Sequence, residues 1–302
     1  MSAATRDGVF SAGVGSAMGA ALVFGIYLFV YKHSFAHLPS TVYIAVSNVL
    51  ALGWYLPIAA VTWPAGRAVV PADVSLADGA LLVVVCLVVA AANLVSIHAF
   101  KLGNVSYVAP LNKLVPAFVL PIEVALLAEP LAPLQVVGVA LAVVAIYVAN
   151  YEGGGLVAPF RRAVSYTPAR LALVGAVVFA VADVGSRAVL STTPFTPQAL
   201  ALATFGTVAV AVASSALARF DAAELRAAMP GLAILSALLA GAAHLTLVSF
   251  AVAPASVVSP IVNVQAVVAV LLGGVLLREP GLHRRLAAAA LAVGGIALIA
   301  GG

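Results

Sequence analysis

Apolar runs of about 20 residues, separated by short polar segments rich in Gly and Pro, fill almost the whole chain. About 20 helical residues cross the roughly 30 Å hydrocarbon core of a bilayer. The pattern therefore predicts an all-α integral membrane protein with ten transmembrane helices. The predicted ranges are 9–31, 40–62, 79–100, 105–127, 132–150, 168–190, 196–218, 229–252, 255–277 and 282–300.

Residues 105–130 recur in degraded form 150 positions later, at residues 255–280. The shared residues are Ser106, Val108, Pro110, Leu126, Leu127, Glu129 and Pro130, which recur as Ser256, Val258, Pro260, Leu276, Leu277, Glu279 and Pro280. Each half then holds five helices, an odd number, so the second copy enters the membrane from the opposite side. This pattern predicts two inverted five-helix repeats at 9–150 and 168–300, joined by a loop at 151–167, as in many secondary transporters.

Composition changes this picture little. The chain is 64% apolar and 8% charged, against about 25% charged in soluble domains. The net charge of +4 comes from basic residues scattered at helix ends, which favours lipid headgroups over nucleic acid as the partner. We expect a multi-pass protein of the cell membrane, as a monomer or homodimer. Ten Lys and Arg in the odd-numbered connections, against three in the termini and even-numbered connections, predict that both termini lie outside the cell.

Polar residues within the fourth predicted helix are the first candidates for a binding site. Lys113 is about 12 Å of helical rise from the start of that helix, and its repeat counterpart is Asn263. Pro116 frees a carbonyl that needs a cavity or another donor. The predicted pore-lining face consists of Asn112, Pro116, Val119 and Glu123.

Two carboxylates are candidates for ion coupling. Glu123 could carry the coupling proton, although a position near the helix end fits an interfacial role equally well. Asp183 is spaced i, i+4 from Arg187, which favours a structural ion pair on one helix face and leaves coupling as the second interpretation.

Further substrate-binding candidates lie on other predicted helices. His98 and His244 fall one helical turn apart when the two copies are superimposed, and Asn93 falls beside His244. A packing role is common for such histidines, but neutral imidazole also binds substrates and relays protons. The full substrate-binding prediction is Lys113, Asn112, His98, His244, Asn263, Asn93 and Tyr27.

Motifs of both halves carry a family resemblance. They comprise Phe24, Gly25, Lys32, Phe100, Val108, Pro110, Leu114, Pro116, Leu126, Glu129, Gln135 and Gly138, followed by Phe250, Ser256, Pro260, Glu279 and Pro280. In these residues the chain resembles the EamA-type members of the ten-helix drug/metabolite transporter superfamily. It departs from the pattern at Asn48, where an Arg is common, and at Ala266, opposite Pro116. The resemblance implies proton-linked or exchange transport of small metabolites, often export of amino acids or nucleobases, and cytoplasmic termini, contrary to the charge count.

The favoured interpretation is therefore a secondary transporter, in the exporting direction, of small polar or amphipathic metabolites such as amino acids. The alternative is an integral-membrane enzyme acting on a lipid-linked substrate. Such an enzyme needs clustered chemistry, for example His-Glu-x-x-His or several interfacial carboxylates, and the sequence has neither. No cofactor or metal is expected, since His33 and His37 have no acidic ligand beside them.

Overall fold

A computed structural model describes residues 3–102, 111–112, 114–127, 132–149, 166–276 and 282–301. Every regular element in these ranges is helical. The α-helices are α1 (Ala3–Val30, continued by a π-helix at Tyr31–Phe35), α2 (Ser40–Thr62), α3 (Leu76–Leu102), α4 (Val115–Leu127), α5 (Pro133–Ala149), α6 (Thr167–Thr192), α7 (Pro197–Leu217), α8 (Ala222–Val252), α9 (Ala255–Asn263), α10 (Gln265–Leu276) and α11 (Leu282–Gly301).

Seven helical segments within the described ranges are long and apolar enough to cross a membrane. Shorter apolar helices lie at Val115–Leu127, Pro133–Ala145 and Ala290–Ile299. The predicted boundaries agree closely for most segments, and 40–62 coincides with α2. Two differences stand out: α8 starts at Ala222 rather than at 229, and the predicted helix 255–277 is divided into α9 and α10. The predicted start of the fourth helix at 105 lies outside the described residues.

The early start of α8 has a local cause. The Asp221 side chain accepts hydrogen bonds from the backbone N–H groups of Ala223 and Glu224, which satisfies two amides at the start of the helix. Pro230 lies inside α8, so this proline does not set the helix boundary.

The segment formed by α9 and α10 lies at the centre of the bundle. Of its apolar window, 71% is buried, whereas the other candidate spans reach at most 39%. All nine residues of α9 are buried. Ile261 and other apolar residues of α9 form one cluster with residues of α1, α4 and α6, including Val14, Val119 and Val184.

The backbone hydrogen bonds switch from the i→i−4 to the i→i−3 pattern at two positions that lie 150 residues apart. Between α9 and α10, Val264 N–H donates to Ile261 C=O at 3.1 Å, and Val267 N–H donates to Val264 C=O at 2.8 Å. In the first half, Leu114 N–H donates to Leu111 C=O at 3.2 Å, and Ala117 N–H donates to Leu114 C=O at 3.0 Å. These i→i−3 bonds tighten one turn at corresponding places of the two copies.

Helix contacts follow a paired pattern across the halves. The helix α1 packs on α8, and α3 packs on α6; α2 contacts α7, α4 contacts α9, and α5 contacts α11. The α5–α11 crossing is close because glycines face each other: a Cβ at Gly138 would lie 2.7 Å from the Gly295 carbonyl oxygen, and one at Gly295 would lie 2.8 Å from that of Gly138. Small residues of this kind allow the backbones of membrane helices to touch.

Candidate functional site

A carboxylate, a hydroxyl and an amide meet where α6 packs against α9. The Ser259 hydroxyl donates to Asp183 Oδ2 at 2.6 Å. Asn263 donates through Nδ2 to the Ser259 carbonyl at 2.9 Å and lies 3.4 Å from the Ser259 hydroxyl oxygen. Ser259 and Asn263 are buried, while Asp183 is half-buried. Carboxylates inside a membrane protein usually serve function rather than stability, because their desolvation is costly.

This cluster lies near the middle of its membrane segment. Asn263 is about 12 Å of helical rise from Ala255, the first residue of α9. The tightened turn at Val264 follows it directly. A polar amide and an irregular backbone turn therefore occur together at the depth where lipid offers no hydrogen-bonding partner. Irregular backbone at this depth is tolerated only where protein or a cavity surrounds it.

Glu123, the other predicted coupling carboxylate, lies fully buried at the start of α9. Its Oε1 accepts the backbone N–H of Ala255 at 2.5 Å, and its Oε2 accepts that of Ser256 at 2.6 Å. Two amides at the helix N-terminus thus gain a charged acceptor from α4. A carboxylate is favoured there by the partial positive charge of the helix end.

Arg187 of α6 contacts the end of α8, the helix that precedes α9 in the chain. Its guanidinium donates to the carbonyls of Phe250 at 3.0 Å and Ala251 at 3.2 Å, both in the last turn of α8. Asp183 and Arg187, predicted to pair with each other, both have partners on other helices: the Ser259 hydroxyl donates to Asp183, and Arg187 donates to two carbonyls of α8. Sequence spacing alone did not indicate either contact.

The predicted pore-lining face of α4 is buried in packing contacts. Asn112 donates to the Ser96 hydroxyl oxygen on α3 at 2.8 Å. Gly175 of α6 approaches both groups, since a Cβ there would lie 2.7 Å from Ser96 Oγ and 3.2 Å from Asn112 Nδ2. Lys113, predicted beside them, lies outside the described residues.

His244 and Tyr27 both have tyrosine partners on α2. His244 Nδ1 lies 3.0 Å from the Tyr55 hydroxyl, with ring centroids 5.8 Å apart. The Tyr43 hydroxyl donates to the Tyr27 hydroxyl oxygen at 2.8 Å, and the ring centroids of Tyr31 and Tyr43 lie 4.3 Å apart, with the ring planes tilted by 40°. The helix α2 therefore contributes two buried phenols to the interior.

The two candidates on α3, Asn93 and His98, form no hydrogen bond with His244 in the structure. Asn93 donates to the Val89 carbonyl of its own helix at 2.8 Å, and His98 is exposed. His244 instead contacts the Tyr55 hydroxyl. No observed contact among the described residues therefore supports the predicted grouping of His98, Asn93 and His244. Among the described residues, no group of three His, Cys, Asp or Glu side chains could hold a metal ion.

Three interior polar residues were absent from the sequence prediction. They are Tyr43, Tyr55 and Ser96, which form hydrogen bonds within the buried clusters. Ser259 shares a helix face with Asn263 in the sequence, a position that fits either substrate binding or helix packing. Tyr43 and Tyr55 could have been found from the sequence, because each is a tyrosine within an apolar run and its hydroxyl needs a hydrogen-bonding partner. Serine carries no such signal, because it is common wherever membrane helices pack closely.

The helical bundle and its apolar spans define a multi-pass integral membrane protein. Residues 11–151 match the model of the EamA-like transporter family. This match confirms the resemblance to the drug/metabolite transporter superfamily. A solved structure described only as a crystal structure of a protein is similar over 96% of this chain and 97% of its own, with a TM-score of 0.77 at 16% sequence identity. That likeness supports the fold alone. No curated protein matches the sequence.

Proposed function

We propose that the chain is a secondary transporter of small polar or amphipathic metabolites, such as amino acids, built from two inverted five-helix repeats at 9–150 and 168–300. The paired helix contacts support the repeats: exchanging each helix for its counterpart turns the α1–α8 contact into the α6–α3 contact. The tightened turns at Leu114 and Val264 support them independently. Rocking of one half against the other would expose a midplane site alternately to the two sides.

The observation that carries this proposal is the cluster of Asp183, Ser259 and Asn263. It joins a half-buried carboxylate to two neutral polar side chains on the most buried segment of the bundle. We assign the coupling proton to Asp183, because a carboxylate can bind and release a proton as access alternates. Asn263 then binds the substrate. The remaining substrate-binding candidates are Lys113, Asn112, His98, His244, Asn93 and Tyr27.

Flux into proteoliposomes tests this function. Radiolabelled amino acids and nucleobases are screened in both directions, with and without an imposed pH gradient. The Asp183→Asn variant should lose gradient-driven flux and keep exchange of solute for solute, since exchange needs no net proton movement. Lys113→Ala should raise the apparent KM.

Glu224→Gln is the matched control, because it removes one carboxylate charge at an exposed position in the first turn of α8. Gradient-driven flux in Asp183→Asn equal to that of the parent would refute the coupling assignment. Absence of flux for every solute, in protein with native helical content, would refute the transporter proposal.

A further inference from the structure

The turn between α8 and α9 is held from both sides by ionisable side chains, the half-buried Arg187 and the buried Glu123. The two helices are separated only by Ala253 and Pro254. Arg187 from α6 donates to the carbonyls of Phe250 and Ala251 just before this turn. Glu123 from α4 accepts the amides just after it. Each charge has the sign that complements the helix end it contacts.

These contacts tie the turn to α6, which carries Asp183, and to α4. Arg187 lies one helical turn beyond Asp183 on α6, and Ser259 lies one turn beyond Ala255 on α9. The Arg187 contact therefore fixes how far along α6 the α8–α9 turn can sit, and the Glu123 contact holds the start of α9 against α4. That position sets the distance between Asp183 and Ser259, now 2.6 Å between their oxygens.

The corresponding pair is missing from the other half of the sequence. The position 150 residues after Glu123 is Gly273, which supplies no carboxylate. The repeat counterpart of Arg187 is Lys32, and Lys32 is exposed.

We infer that Glu123 and Arg187 are positioning residues that clamp the α8–α9 turn, and that this clamp must release when α9 moves away from α4 and α6 during transport. The inference rests on the proposed transport function for its role in the cycle. The clamp itself is a property of the structure that can be measured without a substrate. It assigns Glu123 to holding the helix rather than to carrying the coupling proton.

Thiol labelling tests the clamp. Ser256 is fully buried and its backbone N–H contacts Glu123, so Ser256→Cys in a Cys86→Ala background places a thiol directly at the clamp. We expect slow reaction with a maleimide in reconstituted protein. Adding Glu123→Gln or Arg187→Gln should accelerate labelling roughly tenfold, since each removes hydrogen bonds to a buried charged group. Arg187→Lys, which retains the charge, should fall between them and the parent.

The native thiol supplies the matched control. Cys86 is 1% exposed, and its sulfur lies 3.6 Å from the Thr204 hydroxyl oxygen, between α3 and α7. The same clamp variants with Cys86 retained and Ser256 unchanged should label at the parent's slow rate. Glu224→Gln should change neither thiol.

Labelling of Ser256→Cys that does not change in either clamp variant would overturn the inference. A parallel rise at Cys86 would also overturn it, because it would mean general loosening. For any solute that shows flux, the clamp variants should change kcat more than KM. Loss of flux with unchanged labelling would count against the clamp and leave the transporter proposal standing.

Discussion

Leu114 and Val264 lie 150 residues apart and occupy the same kind of tightened turn, each donating to the carbonyl three residues before it. One residue inside this turn differs between the two segments: position 116 is Pro, and the corresponding position 266 is Ala. The turn is therefore not produced by that proline alone.

The Asp183–Ser259 contact predicts a specific effect of removing one hydroxyl. Ser259→Ala removes the hydroxyl that donates to the Asp183 carboxylate and should reduce gradient-driven flux about tenfold or more, since a hydrogen bond to a charged group contributes about 1.5–3 kcal/mol. Flux assays in proteoliposomes measure this. Ser191→Ala is the control, because that exposed hydroxyl bonds only to a carbonyl of its own helix. Equal loss in both variants would contradict the prediction.

The Gly138–Gly295 crossing predicts a large effect of a single methyl group. Gly138→Ala places a Cβ against backbone atoms of α11, which cannot move aside as a side chain can. We expect about 1–3 kcal/mol loss of unfolding free energy, measured by denaturation in detergent. Gly206→Ala, where nothing lies within 4 Å of the added carbon, should change stability little. Equal stability of the two variants would contradict the close crossing.

The Tyr55–His244 contact predicts energetic coupling between α2 and α8. In a double-mutant cycle, Tyr55→Phe and His244→Gln should be non-additive by about 1 kcal/mol, the net value of a typical hydrogen bond. Unfolding in detergent supplies the measurement. A second cycle that pairs Tyr55→Phe with His98→Gln should be additive, since His98 is exposed on another helix. Additivity in the first cycle would show that the hydrogen bond contributes nothing.

The close approach of Gly175 predicts that a larger side chain at this position would displace the hydrogen-bonded Ser96 and Asn112. Gly175→Ala brings a methyl group within 2.7 Å of Ser96 Oγ, so the pair must shift. If Asn112 binds substrate, as proposed, the apparent KM should rise several-fold with kcat nearly unchanged. Gly241→Ala, with nothing within 4 Å of the added carbon, is the control. An unchanged KM would remove Asn112 from the substrate-binding set.

The sequence by itself determined the membrane class, most helix boundaries, the 150-residue repeat and the family resemblance. Hydrophobic runs specify spans reliably because the bilayer forbids unpaired backbone groups and so requires helices of a set length. The sequence also indicated Glu123, Asp183 and Asn263 as interior polar residues, because charge and amide groups are conspicuous in an apolar run.

Only the tertiary structure decided what these residues contact. Asp183 and Ser259 are 76 positions apart, and Glu123 lies 132 positions before Ala255. The spacing rule that linked Asp183 to Arg187 could not reveal the Ser259 contact or the carbonyls of α8, because helix periodicity describes only one helix at a time. Which helices meet, and at what height, follows from side-chain packing and close glycine crossings between segments distant in sequence.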